Sequence, residues 1–484
     1  MTSRVLLIGL DGATMNMIKA GVSSGKLPTF KRLMERGAWG ELKSSIPPLS
    51  PPAWSSIFTG VNPGKHGIYN FVKHRKDSKA LTPISSRDLR LEPVWKILSR
   101  RGKRCIMMNI PFAYPLEPVN GVLIAGLGAP SRDSDFTFPK QWRELILRMF
   151  PDYDVDFNED LILQEGFTKH LSKIDRVSNA NIQLYKYLLQ SEQWDFFAAV
   201  FRTLDVVQHY TREKEVLLQY YQLFDEVLKH TLESVRDAWI IVCSDHGFRD
   251  VHTDVYVNNW LETLGLLKVR RHLLARAGLT AERFQLILAS LGFRHLIWSL
   301  KRGPLLHKLL RVVPSEKLGF YASVDWEKTK AYYLGNAGGM ILLNKEIVKT
   351  EERNDVVQRV VREAGDLTDP KTGRRVVAKA YLKHEAYKGE IDDAPDVTLV
   401  ESEGYRLVGG YTRGGSIFKE IRERTGDHDM NGVLFAFGPD IRAKVMLDGA
   451  SVCDITPTIL YLMGLEVPEY VDGLPLRVVQ SIPH

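Results

Sequence analysis

The chain has 484 residues, of which 44% are hydrophobic and 25% are charged, and its formal net charge is +7. These are the proportions of an ordinary soluble globular protein, rather than of a membrane-spanning or disulfide-rich one. The length predicts one large α/β domain with insertions, or two domains, and the positive charge mildly favours anionic ligands.

The first apolar run, VLLIGL, ends at Asp11, which favours a first strand over a signal peptide. No uncharged run reaches the ~18 residues that a membrane span needs. Cys105, Cys243 and Cys453 each lie in or beside an apolar stretch, so we expect buried thiols rather than disulfides or a zinc cluster. The sequence therefore predicts a cytoplasmic protein, unless a surface patch attaches it peripherally to a membrane.

Short, continuously apolar runs alternate along the chain with helical patterns. The runs predict strands at 4–10, 104–110, 121–127, 196–201, 239–244 and 432–438. The patterns predict helices at 27–37, 92–102, 169–191 and 216–235. This alternation predicts a three-layer α/β/α fold with a mostly parallel central sheet. Ligands of such sheets bind beyond the carboxyl ends of the strands, where Asp11, Asp205 and Asp245 fall.

The segment from Leu267 to Leu318 differs from the rest because it is helical, amphipathic and basic, with eleven Lys and Arg against two Glu. We interpret it as a helical cap, residues 263–320, inserted between two parts of one core, residues 1–262 and 321–484. An ordinary insertion with solvated charges, a lid over an anionic substrate and peripheral contact with an acidic membrane through 267–318 remain alternatives.

Asp11 and Ser50 each allow two interpretations. Asp11 follows the first strand, where a carboxylate is a metal ligand or the cap of the next helix. Ser50 precedes Pro51, which is typical of a helix N-cap. A serine at a helix N-terminus also lies where phosphate oxygens bind, and metal coordination would make it a nucleophile.

Two Asp/His pairs have the spacing of metal ligands. Asp205 and His209 are four residues apart and share one helix face, although a helix cap and a surface histidine would look the same. Asp245 and His246 follow a strand directly, so both reach one ion only if the strand ends there, and Gly247 would allow that turn. His428 is predicted in a loop, where a lone histidine is usually solvated.

Read together, the motifs resemble the alkaline phosphatase superfamily, and most closely its type I phosphodiesterase/nucleotide pyrophosphatase branch. The resemblance rests on SPPAWxxxxTGVNPGKHGI from Ser50 to Ile68, on DxxxH, SDHG and GDHDMNGVLFAFGP, and on the tail DITPTILYLMGL. These motifs cover most of the chain except the basic insertion.

The resemblance implies two divalent metal ions and a phosphoseryl intermediate. The implied ligands are Asp205, His209 and His428 for one ion, and Asp11, Asp245 and His246 for the other, with the Ser50 oxygen at or between them. Aspartate and histidine ligands fit zinc best, with manganese or iron as alternatives. The implied mechanism is two in-line displacements at phosphorus.

The chain departs from the related motifs directly after Ser50. Ala53 replaces an asparagine that binds a phosphate oxygen in nucleotide pyrophosphatases, and Trp54 replaces the arginine of a sulfatase motif. Other donors nearby are the N–H groups of the helix start and the side chains Asn62, Lys65 and His66. We name Lys65 and His66 as candidate substrate-binding residues, although PGKHG is equally typical of a structural turn.

These observations predict a metal-dependent phosphohydrolase that cleaves a phosphodiester or pyrophosphate. A phosphomonoesterase or phosphomutase would use the same site. A membrane-docking protein with a vestigial site is the alternative from another class. The expected partner is an anionic phosphate-containing small molecule or a lipid-linked phosphate, and no specific nucleic-acid binding is expected.

Overall fold

The computed structural model describes residues 4–74, 81–270 and 319–478, apart from positions 336, 413, 440 and 477. The strands are β1 (Arg4–Leu10), β2 (Ala38–Lys43), β3 (Val72–His74), β4 (Leu81–Pro83), β5 (Cys105–Ile110), β6 (Gly121–Ala125), β7 (Thr137–Phe138), β8 (Phe196–Phe201), β9 (Ala238–Cys243), β10 (Gly247–Tyr256), β11 (Ala331–Tyr333), β12 (Met340–Leu343), β13 (Val377–Leu382), β14 (Val397–Glu401), β15 (Gly404–Val408), β16 (Phe418–Glu420), β17 (Gly426–Asp429), β18 (Asn431–Phe437) and β19 (Val445–Leu447).

The α-helices are α1 (Met15–Ser23), α2 (Pro28–Arg36), α3 (Ser50–Thr59), α4 (Pro63–His66), α5 (Val94–Arg100), α6 (Gln141–Met149), α7 (Glu159–Glu165), α8 (Phe167–Ser191), α9 (Thr203–Tyr210), α10 (Lys214–Ser234), α11 (Val257–Thr263), α12 (Gly319–Ser323), α13 (Arg353–Asp366), α14 (Lys383–Ala386) and α15 (Ile455–Leu462). Among the described residues, no helix is both long enough and apolar enough to cross a membrane.

A nine-stranded sheet in the order β19-β2-β18-β9-β1-β8-β5-β6-β7 forms the centre of the molecule. The strands from β9 to β6 in this order are parallel, whereas β18 and β7 run antiparallel to their neighbours. The six predicted strands are therefore confirmed, and the mostly parallel sheet with them. Strand β18 comes from the chain beyond the predicted insertion, so both parts of the chain build one sheet.

Helices cover both faces of this sheet because side chains on both faces are apolar, as strand β1 illustrates. Leu6 and Ile8 point into one core, with α1, α2, α8, α9 and α10, while Val5 and Leu7 point into the other, with α3, α5 and α15. Every side chain of the strand after Arg4 is buried. Burial of each such side chain contributes about 1.5–3 kcal/mol, which is why a continuously apolar run forms a central strand.

The chain near Lys330, which the sequence predicts to be sheet-like, joins a separate antiparallel sheet in the order β11-β12-β14-β13. This sheet packs with α13 around its own apolar cluster, which includes Tyr333, Ile341, Val360 and Val397. The predicted basic cap falls mainly on 271–318, outside the described residues, so its helices and the boundaries at 263 and 320 stay predictions.

All three cysteines are free. Cys105 and Cys243 are buried, and Cys453 is half-buried. The expectation of free thiols agrees with this arrangement, and the expected burial holds for Cys105 and Cys243 but not for Cys453.

Candidate active site

Asp11, Asp245 and His246 come together because β1 and β9 are parallel neighbours, with Gly9 opposite Cys243. Asp11 follows β1, and Asp245 and His246 lie between the end of β9 and the start of β10. All three side chains are fully buried. The strand thus ends where the sequence predicts, but Gly247 has another role, because a Cβ there would lie 2.0 Å from the carbonyl oxygen of Asn431.

Ser50 faces this group from helix α3. The interpretation of Ser50 as an N-cap is wrong, because Leu49 is the N-cap and Ser50 is the first helical residue. Its hydroxyl is buried and lies 3.3 Å from Nε2 of His246. Asp11 is not a helix cap either, since the Thr14 side chain caps α1.

Asp205 and His209 lie one turn apart on α9, and both are 1% exposed. Oδ1 of Asp205 is 3.4 Å from Nε2 of His209. The alternatives of a capping aspartate and a surface histidine are therefore wrong, since Arg202 is the N-cap residue and His209 is buried.

His428 completes the group from strand β17, not from the predicted loop. β17 pairs with β10, which places Phe248 opposite His428. Nε2 of His428 lies 3.4 Å from Oδ1 of Asp205, and its ring stacks on His246 with centroids 3.8 Å apart. The pairing of β17 with β10 joins the late histidine to the two aspartate–histidine pairs.

The three histidines share one orientation. Nδ1 lies 2.9 Å from the Gly426 carbonyl oxygen in His209, 2.9 Å from that of Gly247 in His246, and 3.1 Å from that of Pro48 in His428. A carbonyl oxygen only accepts, so we assign the proton to Nδ1 in each ring, although in His209 the Nε of Arg424 also approaches that atom, at 3.1 Å. Nε2 of His246 and Nε2 of His428 therefore each present a lone pair to the cluster, as metal-binding histidines do, while Nε2 of His209 has a guanidinium nitrogen of Arg424 at 2.6 Å.

The three aspartates show a matching pattern, because each has one oxygen held by a donor. Trp54 Nε1 donates to Asp11 Oδ2 at 2.9 Å, and Arg202 Nη2 donates to Asp205 Oδ2 at 2.6 Å. The Gly12 N–H donates to Asp245 Oδ1 over a longer 3.4 Å. The second oxygen of each aspartate is buried without a hydrogen-bond partner among the described residues.

These unpartnered oxygens lie opposite the histidine lone pairs. His246 Nε2 is 3.5 Å from Asp11 Oδ1 and 3.3 Å from Asp245 Oδ2, and Asp205 Oδ1 has its two histidine contacts at 3.4 Å. Two acceptors that face each other without a hydrogen are unfavourable in a buried site. Cations between them would satisfy both sides, so the donor set fits metal ions.

Burial and charge shift the pKa values of the cluster in different directions. Burial, together with the charges of Asp245 and Asp205, raises the pKa of Asp11 well above its ordinary value. Burial also raises the pKa of Asp205, but the neighbouring His209 and Arg202 outweigh it and hold that pKa well below its ordinary value. Burial lowers the pKa of His428 to about 4, so its imidazole is neutral at pH 7.

The ligand atoms fall into overlapping groups, in each of which all atoms lie within 4.8 Å of one another. These groups are Asp11, Asp245 and His246; Asp205, His246 and His428; and His209, Asp427 and His428. The first is the predicted set. The members of the second predicted set, Asp205, His209 and His428, are spread over the other two groups, one of which adds His246 and the other Asp427. The assignment of ligands to individual ions therefore stays a prediction.

Sequence reasoning missed the residues that hold the ligands in place. Arg202 is half-buried and pairs with Asp156, Glu159 and Asp205. The sequence motif shows Trp54 only as the replacement of a sulfatase arginine, whereas in the structure its indole N–H donates to Asp11. A Cβ on Gly9 would lie 2.3 Å from the Trp54 ring, so the glycine inside β1 makes room for the indole. Asp427 directly precedes the predicted ligand His428, so its position in the sequence could have indicated it.

Lys65 and His66 have contacts of a structural turn. The Lys65 ammonium pairs with Asp472 at 2.6 Å and donates to the Tyr470 carbonyl at 2.8 Å. His66 is fully buried, with Nε2 3.1 Å from the Ser56 hydroxyl. Within the described residues these contacts go to the carboxyl-terminal segment and to α3, so a role in substrate binding stays a prediction.

The other predicted oxyanion donors are already used. Pro51 and Pro52 carry no N–H, and the Ala53 N–H bonds the Leu49 carbonyl. The Asn62 amide donates to Asp472, and its oxygen accepts from Gly64 and Lys388. The helix start therefore offers the N–H of Ser50 and the helix dipole, but little else.

A cavity of about 500 Å³ adjoins the group at His428. Its other walls include Phe248, Arg249, Glu401 and Asp429. A cavity of this size accommodates a small organic substrate beside the candidate ligands.

The chain matches the family model of type I phosphodiesterase / nucleotide pyrophosphatase over residues 5–431, and it belongs to that family. It is thus a hydrolase that acts on phosphoester bonds, in a superfamily of metallohydrolases. A search of the curated proteins finds no match.

Solved structures share the fold over nearly the whole chain. Phosphonoacetate hydrolase from Sinorhizobium meliloti 1021, in complex with phosphonoacetate, has a TM-score of 0.59 at 15% identity, and the match covers 96% of this chain and 95% of that one. Murine ectonucleotide pyrophosphatase / phosphodiesterase 5, an inactive variant in complex with AMP, has a TM-score of 0.55 at 12% identity and 96% coverage of both chains. At these identities the similarity concerns the fold.

Proposed function

We propose that this protein is a two-metal phosphohydrolase that cleaves a phosphodiester or pyrophosphate through a phosphoseryl intermediate on Ser50. The main support is the set of buried contacts in which an unpartnered aspartate oxygen faces a histidine lone pair. Two divalent ions, with zinc as the best fit, would be held there by Asp11, Asp205, His209, Asp245, His246 and His428. When bound, they supply Lewis-acid stabilisation of a serine oxyanion and of phosphoryl oxygens.

The protein's own groups orient the nucleophile. Ser50 begins the ten-residue helix α3, so its oxygen and an incoming phosphate lie at the positive end of the helix dipole. The contact with His246 orients the Ser50 hydroxyl toward the ligand group. In the first step the Ser50 oxygen forms a bond to phosphorus while the bond to the leaving oxygen breaks, and the serine proton passes through solvent to the leaving oxygen. In the second, a water oxygen bonds phosphorus while the bond to the serine oxygen breaks, and one proton of that water regenerates the Ser50 hydroxyl.

The surroundings of Ser50 favour a substrate of low charge at the reacting phosphoryl group. A phosphomonoester carries one more negative charge than a diester and usually requires a cation beside the nucleophile. Lys65 is paired with Asp472, and the Asn62 amide and the Ala53 N–H already have acceptors. This supports the diesterase or pyrophosphatase over the monoesterase and mutase alternatives. A phosphate-containing small molecule or a lipid-linked phosphate fits this requirement.

The experiment compares Ser50→Ala with Ser55→Ala, a matched serine one and a half turns along α3. Both variants and the wild type are assayed with bis-p-nitrophenyl phosphate, and their metal content is measured. We expect two equivalents of metal in the wild type, a loss of turnover only in Ser50→Ala, and a p-nitrophenylphosphoryl group on the Ser50 peptide after acid quenching. Unchanged turnover in Ser50→Ala, or a metal-free active protein, would refute the proposal.

A further inference from the structure

Arg424 is the side chain at the candidate centre whose position the proposed reaction leaves unexplained. Its Nη2 lies 2.6 Å from Nε2 of His209, and its Nε lies 3.1 Å from Nδ1 of the same ring. The guanidinium therefore lies along the nitrogen-bearing edge of a candidate ligand. Its side chain is 31% exposed, so solvent and solutes reach it.

The charge of Arg424 is only partly balanced by its neighbours. Glu159 Oε2 lies 3.6 Å from Nη1 of Arg424, while the other oxygen of Glu159 is 3.0 Å from Arg202. One carboxylate is thus shared by two guanidiniums. Arg202 has Asp156 and Asp205 as further partners, whereas Glu159 is the carboxylate that contacts Arg424 among the described residues.

A cation held by Nε2 of His209 would compete with this contact. The nitrogen has one lone pair, which a guanidinium and a metal ion cannot both use. Arg424 keeps its charge at all ordinary pH values. In the metal-loaded protein the guanidinium and the metal ion would therefore be adjacent cations, and the carboxylate of Glu159, which Arg202 shares, would balance them only in part. An anion that touches both would remove the repulsion, and arginine matches the geometry of phosphate and carboxylate oxygens.

We propose that Arg424 is a substrate-binding residue that donates hydrogen bonds to an oxyanion of the substrate at the His209 end of the centre. This rests on the proposed function and refines its substrate class. Arg424 would supply a cation that the sequence around Ser50 lacks, but on the far side of the ligand group. The oxyanion is either an oxygen of the reacting phosphoryl group or a second acidic group of the substrate, such as the other phosphate of a pyrophosphate.

The test measures equilibrium binding to metal-loaded protein by calorimetry, so that it does not depend on turnover. Methylphosphonate and phosphonoacetate form a matched pair of probes, because the second carries one additional carboxylate. Arg424→Ala is compared with the wild type and with Arg422→Ala, an exposed arginine two residues away that gives the same change in net charge. Metal content and Tm are recorded for each protein. Arg424→Lys is included because it keeps the positive charge but lacks the paired N–H donors of the guanidinium.

We expect Arg424→Ala to weaken binding about tenfold at unchanged metal content, with Arg422→Ala close to the wild type. Equal weakening for both probes would assign the contact to the phosphoryl oxygens. Weakening for phosphonoacetate alone would assign it to a second acidic group. Binding of both probes within twofold of the Arg422→Ala value would overturn the inference, and so would a loss confined to metal affinity. Failure of Ser50→Ala to lose activity would instead refute the proposed function.

Discussion

The two halves of the candidate centre are built from different kinds of structure. Asp11, Asp245 and His246 lie at the carboxyl ends of adjacent parallel strands, fully buried, and a neutral indole holds one of the carboxylates. Asp205 and His209 lie on a helix, and His428 lies on a strand of another sheet. Arg202 contacts Asp205, and Arg424 contacts His209. The sheet fixes the first half, whereas ion pairs and strand pairing between distant segments fix the second.

The largest expected effect tests whether both halves are required. Asp11→Asn and Asp205→Asn each remove one candidate ligand charge without changing side-chain volume. We expect each variant to lose about one equivalent of metal and on the order of a thousandfold in turnover, because a Lewis acid contributes several kcal/mol. Metal analysis and kinetics with bis-p-nitrophenyl phosphate check this. If Asp205→Asn kept full activity, the second half would not belong to the catalytic centre.

The charged support of the second half predicts a large effect on stability. Arg202→Met removes the guanidinium that Asp156, Glu159 and Asp205 share, and it leaves the buried carboxylate of Asp205 and two half-buried carboxylates without this partner. Removal of one partner from a buried pair costs about 3–5 kcal/mol. Thermal unfolding of the metal-free proteins should show a clearly lower Tm than the wild type. The Arg176→Met variant, in which an exposed ion pair to Asp152 is lost, serves as the control.

The neutral support of the first half predicts a smaller effect, confined to one ion. Trp54→Phe keeps an aromatic ring against Gly9 but removes the N–H that holds Asp11 Oδ2. Removal of such a supporting donor typically weakens metal affinity by about 10–100-fold. Competition with a chromophoric chelator should show one weakened and one unchanged site. Two equally weakened sites would mean that the halves are not independent.

The smallest expected effect concerns the turn that contains Lys65. Lys65→Met removes a partly exposed ion pair with Asp472, which is worth about 0–1 kcal/mol. If the turn is structural, Tm falls slightly and KM is unchanged. A severalfold rise in KM at constant Tm would instead support the predicted contact of Lys65 with substrate.

Sequence reasoning succeeded where a local pattern reports burial directly. A strand buried on both faces, such as Arg4–Leu10, is continuously apolar, and its first carboxylate marks the strand end. That is why Asp11 and Asp245 could be placed at one edge of the sheet. The pattern does not encode the strand order, so the antiparallel insertion of β18 next to β9 was not predicted.

The supporting residues could not be predicted for a related reason. Arg202 and Arg424 are separated by more than two hundred positions, yet they share Glu159. In the sequence each looks like an ordinary surface charge, because burial and pairing of a charge depend on which segments fold over it. The same holds for His428, whose environment is set by the pairing of β17 with β10.

The sequence by itself determined the residue types of the centre, the elements that carry most of them and the family to which they belong, because apolar periodicity and motif spacing are local. The tertiary structure decided which oxygen of each aspartate is held and which is free, which groups contact the nitrogens of each histidine, and that Ser50 begins a helix without capping it. It also placed Lys65 and His66 in the one-turn helix α4 and Arg424 beside His209. These features depend on contacts between distant segments, and only the folded chain brings those segments into hydrogen-bond distance.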